Sequence, residues 1–200
     1  MFITFEGGEG TGKSTQAKIL AARLRSGGRE VVETREPGGT PEAEALRQLL
    51  LNGRPESWSA TSEALLMYAA RDCHLRQLIR PNLAQGKTVV CDRFMDSTRA
   101  YQGYAGGVSL DFISELQRAI VGETLPNLTL VFDLDPEIGL ARAKERGSAD
   151  RFERKSLEFH RQLRQGFLEI ARLEPHRCKV IDAGATMDIV SEEVWKIVHG

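Results

Sequence analysis

The chain has 200 residues, 41% of them apolar, which is enough for one domain with a substantial core. Its formal net charge of −1 argues against a general affinity for nucleic acid or anionic membranes, because both select an excess of Lys and Arg. Its three cysteines lack zinc-site or disulfide spacing, and no apolar run approaches the ~20 residues that span a bilayer. We therefore expect one domain over residues 1–200, located in the cytoplasm, with no nucleic-acid or membrane partner.

Short β-rich runs alternate with longer amphipathic stretches, which is typical of an α/β protein with a parallel sheet between helices. The predicted strands are residues 2–5, 31–34, 88–91, 128–134 and 179–182. The predicted helices include residues 13–26, 41–51 and 136–146, and a closing helix is expected within residues 186–200. Thr40 is a predicted N-cap and Pro41 suits the first helical position, where a missing N–H costs nothing.

A glycine-rich segment after the first predicted strand carries the strongest chemical signal. Residues 7–14, GGEGTGKS, match G-x-x-x-x-G-K-[ST] and open a predicted helix, which is the context that a phosphate-binding loop requires. Its backbone N–H groups converge on phosphate, Lys13 reaches the β- and γ-phosphates, and Ser14 can ligate Mg²⁺. The predicted ATP-binding residues are Gly7, Gly8, Glu9, Gly10, Thr11, Gly12, Lys13, Ser14 and Thr15.

The third predicted strand ends in an acidic and a basic residue, Asp92 and Arg93. Open α/β sheets bind ligands at the carboxyl ends of their strands, which is where this pair is expected. Asp92 can hold Mg²⁺ or its water, and the Arg93 guanidinium can bind an acceptor phosphate through two hydrogen bonds.

An arginine-rich stretch follows the fourth predicted strand. Residues 140–164 carry eight basic and four acidic side chains. Arg142 and Arg146 share one helix face, and the sequence GSAD at residues 147–150 breaks the helix before Arg151. This pattern predicts a lid that brings arginines onto a triphosphate during transfer, without deciding which of the three contacts the transferred phosphate.

Six stretches together resemble the bacterial thymidylate kinase family in order and spacing over residues 1–183. They are FEGGEGTGKST, TREPGGTPEAEALR, YAARDCH, CDRFMDSTRAYQG, LPNLTLVFDLDPEIGLARAKERG and DRFERKSLEFH. The resemblance implies the P-loop nucleoside monophosphate kinase fold, a five-stranded parallel sheet flanked by helices on both faces, with a helical lid at about residues 140–155. It also implies transfer of the γ-phosphate of ATP to dTMP for dTTP synthesis, with Mg²⁺, in a homodimer.

The resemblance assigns roles to individual positions of the substrate site. Arg93 is similar to the clamp on the dTMP phosphate, and Arg71 to the arginine that hydrogen-bonds thymine O4. Tyr101 matches the tyrosine that packs under the sugar and leaves no room for a 2′-hydroxyl. Thr98 falls where a polar side chain faces the base, and Gln102 follows in the same motif.

Two further segments belong to the substrate site by resemblance. Residues Arg35 to Gly39 resemble the family's substrate loop, in which the bond before Pro37 is a candidate for the cis isomer. Where the family usually has an aromatic residue stacked on thymine, this chain has Met67 with Tyr68 next to it. Either side chain could contact the base.

Glu9 places a carboxylate inside a loop that binds phosphate. In one branch of the family this position carries an arginine, whereas the bacterial branch resembled here uses lid arginines and an acidic loop residue. The resemblance gives Glu9 the role of accepting a hydrogen bond from the 3′-hydroxyl of dTMP. The simpler alternative is a solvent-facing Glu9, which the motif also allows.

Two other functions remain open at this stage. One is a different nucleoside or nucleoside monophosphate kinase, although Arg93, Arg71 and Tyr101 favour a deoxypyrimidine monophosphate. The other is a nucleotide switch, but the sequence contains no Asn-Lys-x-Asp element of the kind that GTP-binding switches use. We expect in-line transfer without a covalent intermediate, because an ionised acceptor phosphate is already an adequate nucleophile.

Overall fold

The computed structural model describes residues 1–52, 57–145, 147 and 150–199. Its centre is a sheet of five parallel strands in the order β2-β3-β1-β4-β5. The strands are β1 (Phe2–Gly7), β2 (Val31–Arg35), β3 (Thr88–Asp92), β4 (Leu128–Asp133) and β5 (Cys178–Asp182). The predicted α/β class is confirmed, and all five predicted strands lie within two residues of the observed ones.

Helices cover both faces of this sheet. They are α1 (Lys13–Ser26), α2 (Pro41–Leu51), α3 (Ala60–His74), α4 (Arg80–Ala84), α5 (Met95–Thr98), α6 (Leu110–Ile120), α7 (Pro136–Glu145), α8 (Leu157–Leu173) and α9 (Met187–His199). Two π-helical segments, Leu75–Ile79 and Arg99–Tyr104, continue α3 and α5. No described helix is long and apolar enough to cross a membrane.

Local signals explain where the predicted helices begin and end. The Thr40 hydroxyl accepts a hydrogen bond from the backbone N–H of Ala43, and Pro41 occupies the first position of α2. The four apolar positions of α1 at helical spacing are all buried. The helix ends at Gly27, its C-cap, whose N–H donates to the Arg23 carbonyl. These helices could be predicted because the residues that start and end them lie within a few positions of the helix ends.

The strands distribute their side chains between two apolar layers. Ile3 and Phe5 of β1 pack in one layer with Leu20 of α1, whereas Phe2 packs in the other with Tyr68 of α3. This alternation follows from the period of two in a strand. Because both faces are covered, the carboxyl edge of the sheet is left as the place where loops can bind a ligand.

Candidate active site

A cavity of about 350 Å³ opens at the carboxyl edge of the sheet. That volume lies within the range of small-molecule sites. The glycine-rich loop after β1, the ends of β2 and β3, helix α3 and the segment 98–102 contribute its walls. The predicted site residues that line it are Glu9, Gly10, Thr11, Gly12, Lys13, Ser14, Thr15, Arg35, Pro37, Met67, Arg71, Asp92, Arg93, Thr98, Tyr101, Gln102 and Arg142.

The glycine-rich loop has the backbone of an anion-binding turn. Gly10 and Gly12 have φ angles of +65° and +83°, which disfavour other residues, and Gly12 is the N-cap of α1. A Cβ on Gly10 would lie 1.9 Å from the carbonyl oxygen of Gly139 in α7. Backbone N–H groups at a helix N-terminus suit a phosphate.

Lys13 lies within this loop, where its ammonium group donates to the Gly8 carbonyl and, at 3.1 Å, to the Thr11 hydroxyl. Burial, together with the nearby Arg93, lowers the pKa of Lys13 to about 8, against the opposing effect of Glu9 and Asp92. A polyphosphate in the loop would favour the charged ammonium form.

Ser14 and Asp92 meet at the other side of the loop. The Ser14 hydroxyl donates to Oδ2 of Asp92, and Oδ1 of Asp92 is buried with no hydrogen-bond partner among the described residues. A hydroxyl and a carboxylate with a buried, uncommitted oxygen suit a hard cation such as Mg²⁺. No cluster of three His, Cys, Asp or Glu side chains suited to a metal occurs in the described part of the chain.

Glu9 belongs to the loop, and its largely buried side chain points towards Arg93, which begins the turn after β3. Arg93 Nη2 donates to Glu9 Oε1 at 2.9 Å, and the Tyr101 hydroxyl donates to the same oxygen. Burial raises the pKa of Glu9, but Arg93, Lys13 and Tyr101 outweigh it, so the pKa falls to about 2. The carboxylate is therefore ionised and faces the cavity, rather than solvent alone.

A second glutamate, which the sequence analysis missed, supports the Arg93 turn. Arg93 has a φ angle of +67°, which is unusual for a residue other than glycine. Glu6 of β1 accepts hydrogen bonds from the Phe94 N–H at 2.8 Å and the Ser97 hydroxyl at 2.6 Å. Burial and the charge of Asp96 raise the pKa of Glu6 to about 7. A charged residue inside a buried, mostly apolar strand was the available signal.

Arg71 lies on the cavity wall but is otherwise enclosed, with 1% of its surface exposed. Its guanidinium donates to Glu36 Oε2 at 2.8 Å, to the Phe94 carbonyl at 3.0 Å and to the Thr98 hydroxyl at 3.1 Å. Its Nη1 is buried without a hydrogen-bond partner in the described chain. A buried, uncommitted donor in a cavity wall is suited to an acceptor on a ligand.

Gln102 lies on the same wall, but its uncommitted group is an acceptor and not a donor. Its Nε2 donates to Glu63 Oε2 at 2.9 Å, while its buried Oε1 has no described hydrogen-bond partner. Among the described residues, the cavity wall therefore offers an uncommitted donor on Arg71 and an uncommitted acceptor on Gln102, in addition to the free oxygen of Asp92.

The two side chains considered for base contact point in different directions. Met67 lines the cavity. Tyr68 points into the core beneath Arg71, whose guanidinium carbon lies 4.6 Å from the ring centroid, and its hydroxyl donates to the Ile113 carbonyl. Tyr101 packs against Phe152, Phe159 and Phe167, with its hydroxyl towards Glu9.

The two substrate-loop residues expected at the cavity are found there. The Glu36–Pro37 peptide bond is cis, and both Arg35 and Pro37 line the cavity. Arg47 of α2 also lines it, donating to the Pro37 carbonyl at 2.7 Å, and the sequence analysis missed it. Its signal was a basic residue at helical spacing from the buried Ala43 and Leu50.

The three arginines of the predicted lid have different positions. Arg142 lines the cavity and donates to the Ala183 carbonyl at 3.1 Å. Arg146 lies outside the described residues. Arg151 was expected to face the donor phosphates. In this structure it is fully buried, pairing with Glu63 at 2.6 Å and donating to the Leu50 carbonyl at 2.8 Å.

Comparisons with known proteins agree on one family. The family model described as thymidylate kinase matches residues 5–194. The chain is similar to a thymidylate kinase of Caulobacter vibrioides, with 56% identity over 98% of this chain and 95% of that protein. A thymidylate kinase of Bradyrhizobium sp. (strain ORS 278) shares 52% identity over 99% of this chain and 89% of its own length.

A solved structure shows the same likeness in three dimensions. The crystal structure of thymidylate kinase from Ehrlichia chaffeensis matches with a TM-score of 0.81 and 38% identity, covering 99% of this chain and 98% of that one.

Proposed function

The chain belongs to the thymidylate kinase family, and from that premise we propose how one cavity holds its two substrates. Membership makes it an ATP-dependent nucleoside monophosphate kinase that transfers the γ-phosphate of ATP to dTMP, giving dTDP and ADP. One observation carries the proposal: the same cavity joins the phosphate loop to the uncommitted groups of Arg71 and Gln102. We infer a single kinase domain over the whole chain.

The acceptor phosphate binds at Arg93, with Arg47 and Arg35 near it. Arg93 suits this role because its position at the end of β3 places it directly beside the phosphate loop, with Nη1 bonded to the Gly7 carbonyl at 2.8 Å. A guanidinium can bind two phosphate oxygens at once. Glu9, held by Arg93 and Tyr101, then accepts from the 3′-hydroxyl of the sugar.

The base lies between Met67 and the polar wall beyond it. The donor on Arg71 Nη1 suits O4 of thymine, and the acceptor on Gln102 Oε1 suits its N3–H. Met67 packs on the ring as an adaptable apolar surface. Thr98 acts through Arg71, because its hydroxyl accepts a hydrogen bond from Arg71 Nη2.

The donor triphosphate lies in the glycine-rich loop with Lys13 on its β- and γ-phosphates. Ser14 and Asp92 would hold Mg²⁺, which supplies charge neutralisation and alignment of the phosphate oxygens. Arg142 approaches from the lid segment and Arg146 is assigned to the same lid, whereas Arg151 is buried in its ion pair with Glu63 and is left out of this role. Catalysis is then positioning and electrostatic stabilisation of in-line transfer, with water kept out by the lid.

The protein's wider setting follows from its family and composition. We propose a cytoplasmic homodimer without nucleic-acid or membrane partners, on the basis of the balanced charge and the family membership. Sedimentation equilibrium of the purified chain is expected to give twice the chain mass of 22.2 kDa.

An assay for ADP release with each nucleoside monophosphate tests the proposal directly. We expect ADP to appear with ATP and dTMP, far more slowly with dCMP, and not with thymidine. Release without any acceptor would instead favour the nucleotide switch, and faster release with thymidine than with dTMP would favour a deoxynucleoside kinase.

A further inference from the structure

We propose that Glu63 is a positioning residue that fixes the side-chain amide of Gln102 and thereby sets the acceptor's base specificity. The inference rests on the proposed contact between Gln102 and the base. Glu63 itself lies on α3 with 4% of its surface exposed, and it is not among the cavity-lining residues. Its effect on the substrate therefore passes through another side chain.

The two oxygens of Glu63 have separate partners. Arg151 Nη1 lies 2.6 Å from Oε1, and Gln102 Nε2 donates to Oε2 at 2.9 Å. All three side chains are buried, so water cannot readily replace either bond. The ion pair with Arg151 holds the carboxylate in place.

A carboxylate that is paired with an arginine settles which way the Gln102 amide points. It has acceptors only, whereas the amide has a donor end and an acceptor end of nearly the same shape. A reversed amide would place its carbonyl oxygen against Glu63 Oε2, which is repulsive and leaves buried groups unsatisfied. The Nε2 group is thus committed to Glu63, and Oε1 is left as the uncommitted acceptor.

This orientation decides which base the wall accepts. Thymine presents an N3–H donor and an O4 acceptor, whereas cytosine presents an N3 acceptor and an N4 amino donor. An acceptor on Gln102 with a donor on Arg71 matches the first pattern and opposes the second. A glutamine could take either orientation alone, so the selection depends on Glu63.

The test compares kcat/KM for dTMP with that for 5-methyl-dCMP, which differs from dTMP only at the N3 and C4 positions. In Glu63→Gln, the new amide can donate to Gln102 Oε1, so the Gln102 amide can reverse. We expect the dTMP preference to fall at least tenfold, with a gain for 5-methyl-dCMP. Glu115→Gln, at an exposed position on α6, should keep the preference. An unchanged preference in folded Glu63→Gln overturns the inference.

Gln102→Leu separates this inference from the function on which it rests. If that variant leaves kcat/KM for dTMP unchanged, the proposed contact between Gln102 and the base fails. If it lowers kcat/KM for dTMP while Glu63→Gln leaves the preference intact, only the role of Glu63 fails.

A double variant covers the case in which Glu63→Gln does not fold. Glu63→Gln with Gln102→Glu exchanges the two groups, so position 102 again offers only acceptors to the base. We expect this variant to fold and to retain a preference for dTMP over 5-methyl-dCMP of at least tenfold. A double variant that does not fold, or that folds without the preference, overturns the inference.

Discussion

At the scale of single residues, Glu9 is ionised beside a phosphate site because Arg93 and Tyr101 both donate to its Oε1. The proposed bond to the 3′-hydroxyl predicts that the wild type discriminates between dTMP and its 3′-deoxy analogue. A hydrogen bond to a charged group contributes about 1.5–3 kcal/mol, so we expect a ratio of kcat/KM of about 10 to 150. In Glu9→Ala the ratio should approach one, whereas Glu115→Ala should keep it. Equal discrimination in wild type and Glu9→Ala would remove this role.

The single residue Glu6 makes the stability of the protein depend on pH. Its pKa is about 7 in the folded chain against an ordinary 4.5, so the folded state holds a proton that the unfolded state has released. Its contribution to stability is full below pH 4.5 and is lost as the pH rises through 7. Glu6→Gln keeps the shape without the charge, so its melting temperature should fall less than that of the wild type between pH 5 and pH 8.

Comparing the wild type with Glu6→Gln controls for other groups that titrate in this pH range. Burial lowers the pKa of His160 from 6.5, which gives that residue the opposite trend in the same pH range. Because His160 is present in both proteins, its effect cancels in the comparison. Parallel melting curves for wild type and Glu6→Gln at both pH values would contradict the assignment.

At the scale of elements, α7 and the phosphate loop pack backbone against backbone. A Cβ on Gly139 would lie 2.3 Å from the Glu9 carbonyl oxygen. Helix propensity alone predicts that Gly139→Ala stabilises α7 by about 1 kcal/mol, but an overlap with a backbone atom must move the loop. We expect a lower melting temperature and a KM for ATP raised at least tenfold. Lys144→Ala, on an exposed position of the same helix, should change neither value.

Of the three arginines predicted for a lid, Arg142 is the one that lines the cavity in the described part of the chain, so it is the first residue with which to test the lid. If it neutralises charge on the transferring phosphoryl group, Arg142→Ala should lower kcat by about 100-fold or more, since arginines in this role contribute about 10³–10⁵. KM for dTMP should change little. Single-turnover measurements separate this chemical step from product release, with Lys144→Ala as the control. An unchanged kcat would exclude this role for Arg142.

Element boundaries and element partners differ in how well the sequence predicts them. The starts of α2 and α7 could be predicted because the capping residue and proline lie beside the helix. The burial of Arg151 could not be predicted, because its partner Glu63 lies 88 residues away in the sequence. Neither residue has a local signal that points to the other. A charged lid and a buried ion pair use the same residue types, and only the tertiary fold distinguishes them.

For the molecule as a whole, the alternation of strands and helices predicted a parallel sheet, but not its order. The order β2-β3-β1-β4-β5 depends on which strands pair across long connections, for which the sequence has no local signal. The phosphate loop and the Asp92–Arg93 pair could nevertheless be predicted to lie close together, because each follows a strand and parallel strands end at one edge. Arg47 and Glu6 were missed since their roles depend on packing against that edge.

Division of the cavity between two substrates predicts how each ligand stabilises the whole molecule. A ligand that binds only the folded chain at 100 times its Kd adds about 2.7 kcal/mol of stability, which raises the melting temperature by about 5–10 °C for a chain of this size. ADP and dTMP should each give such a shift in the wild type. Lys13→Ala should lose the ADP shift and keep that of dTMP, while Arg93→Ala should do the reverse. Differential scanning fluorimetry measures both, and loss of both shifts in either variant, with its unliganded melting temperature unchanged, would show that the two halves of the cavity are not separate.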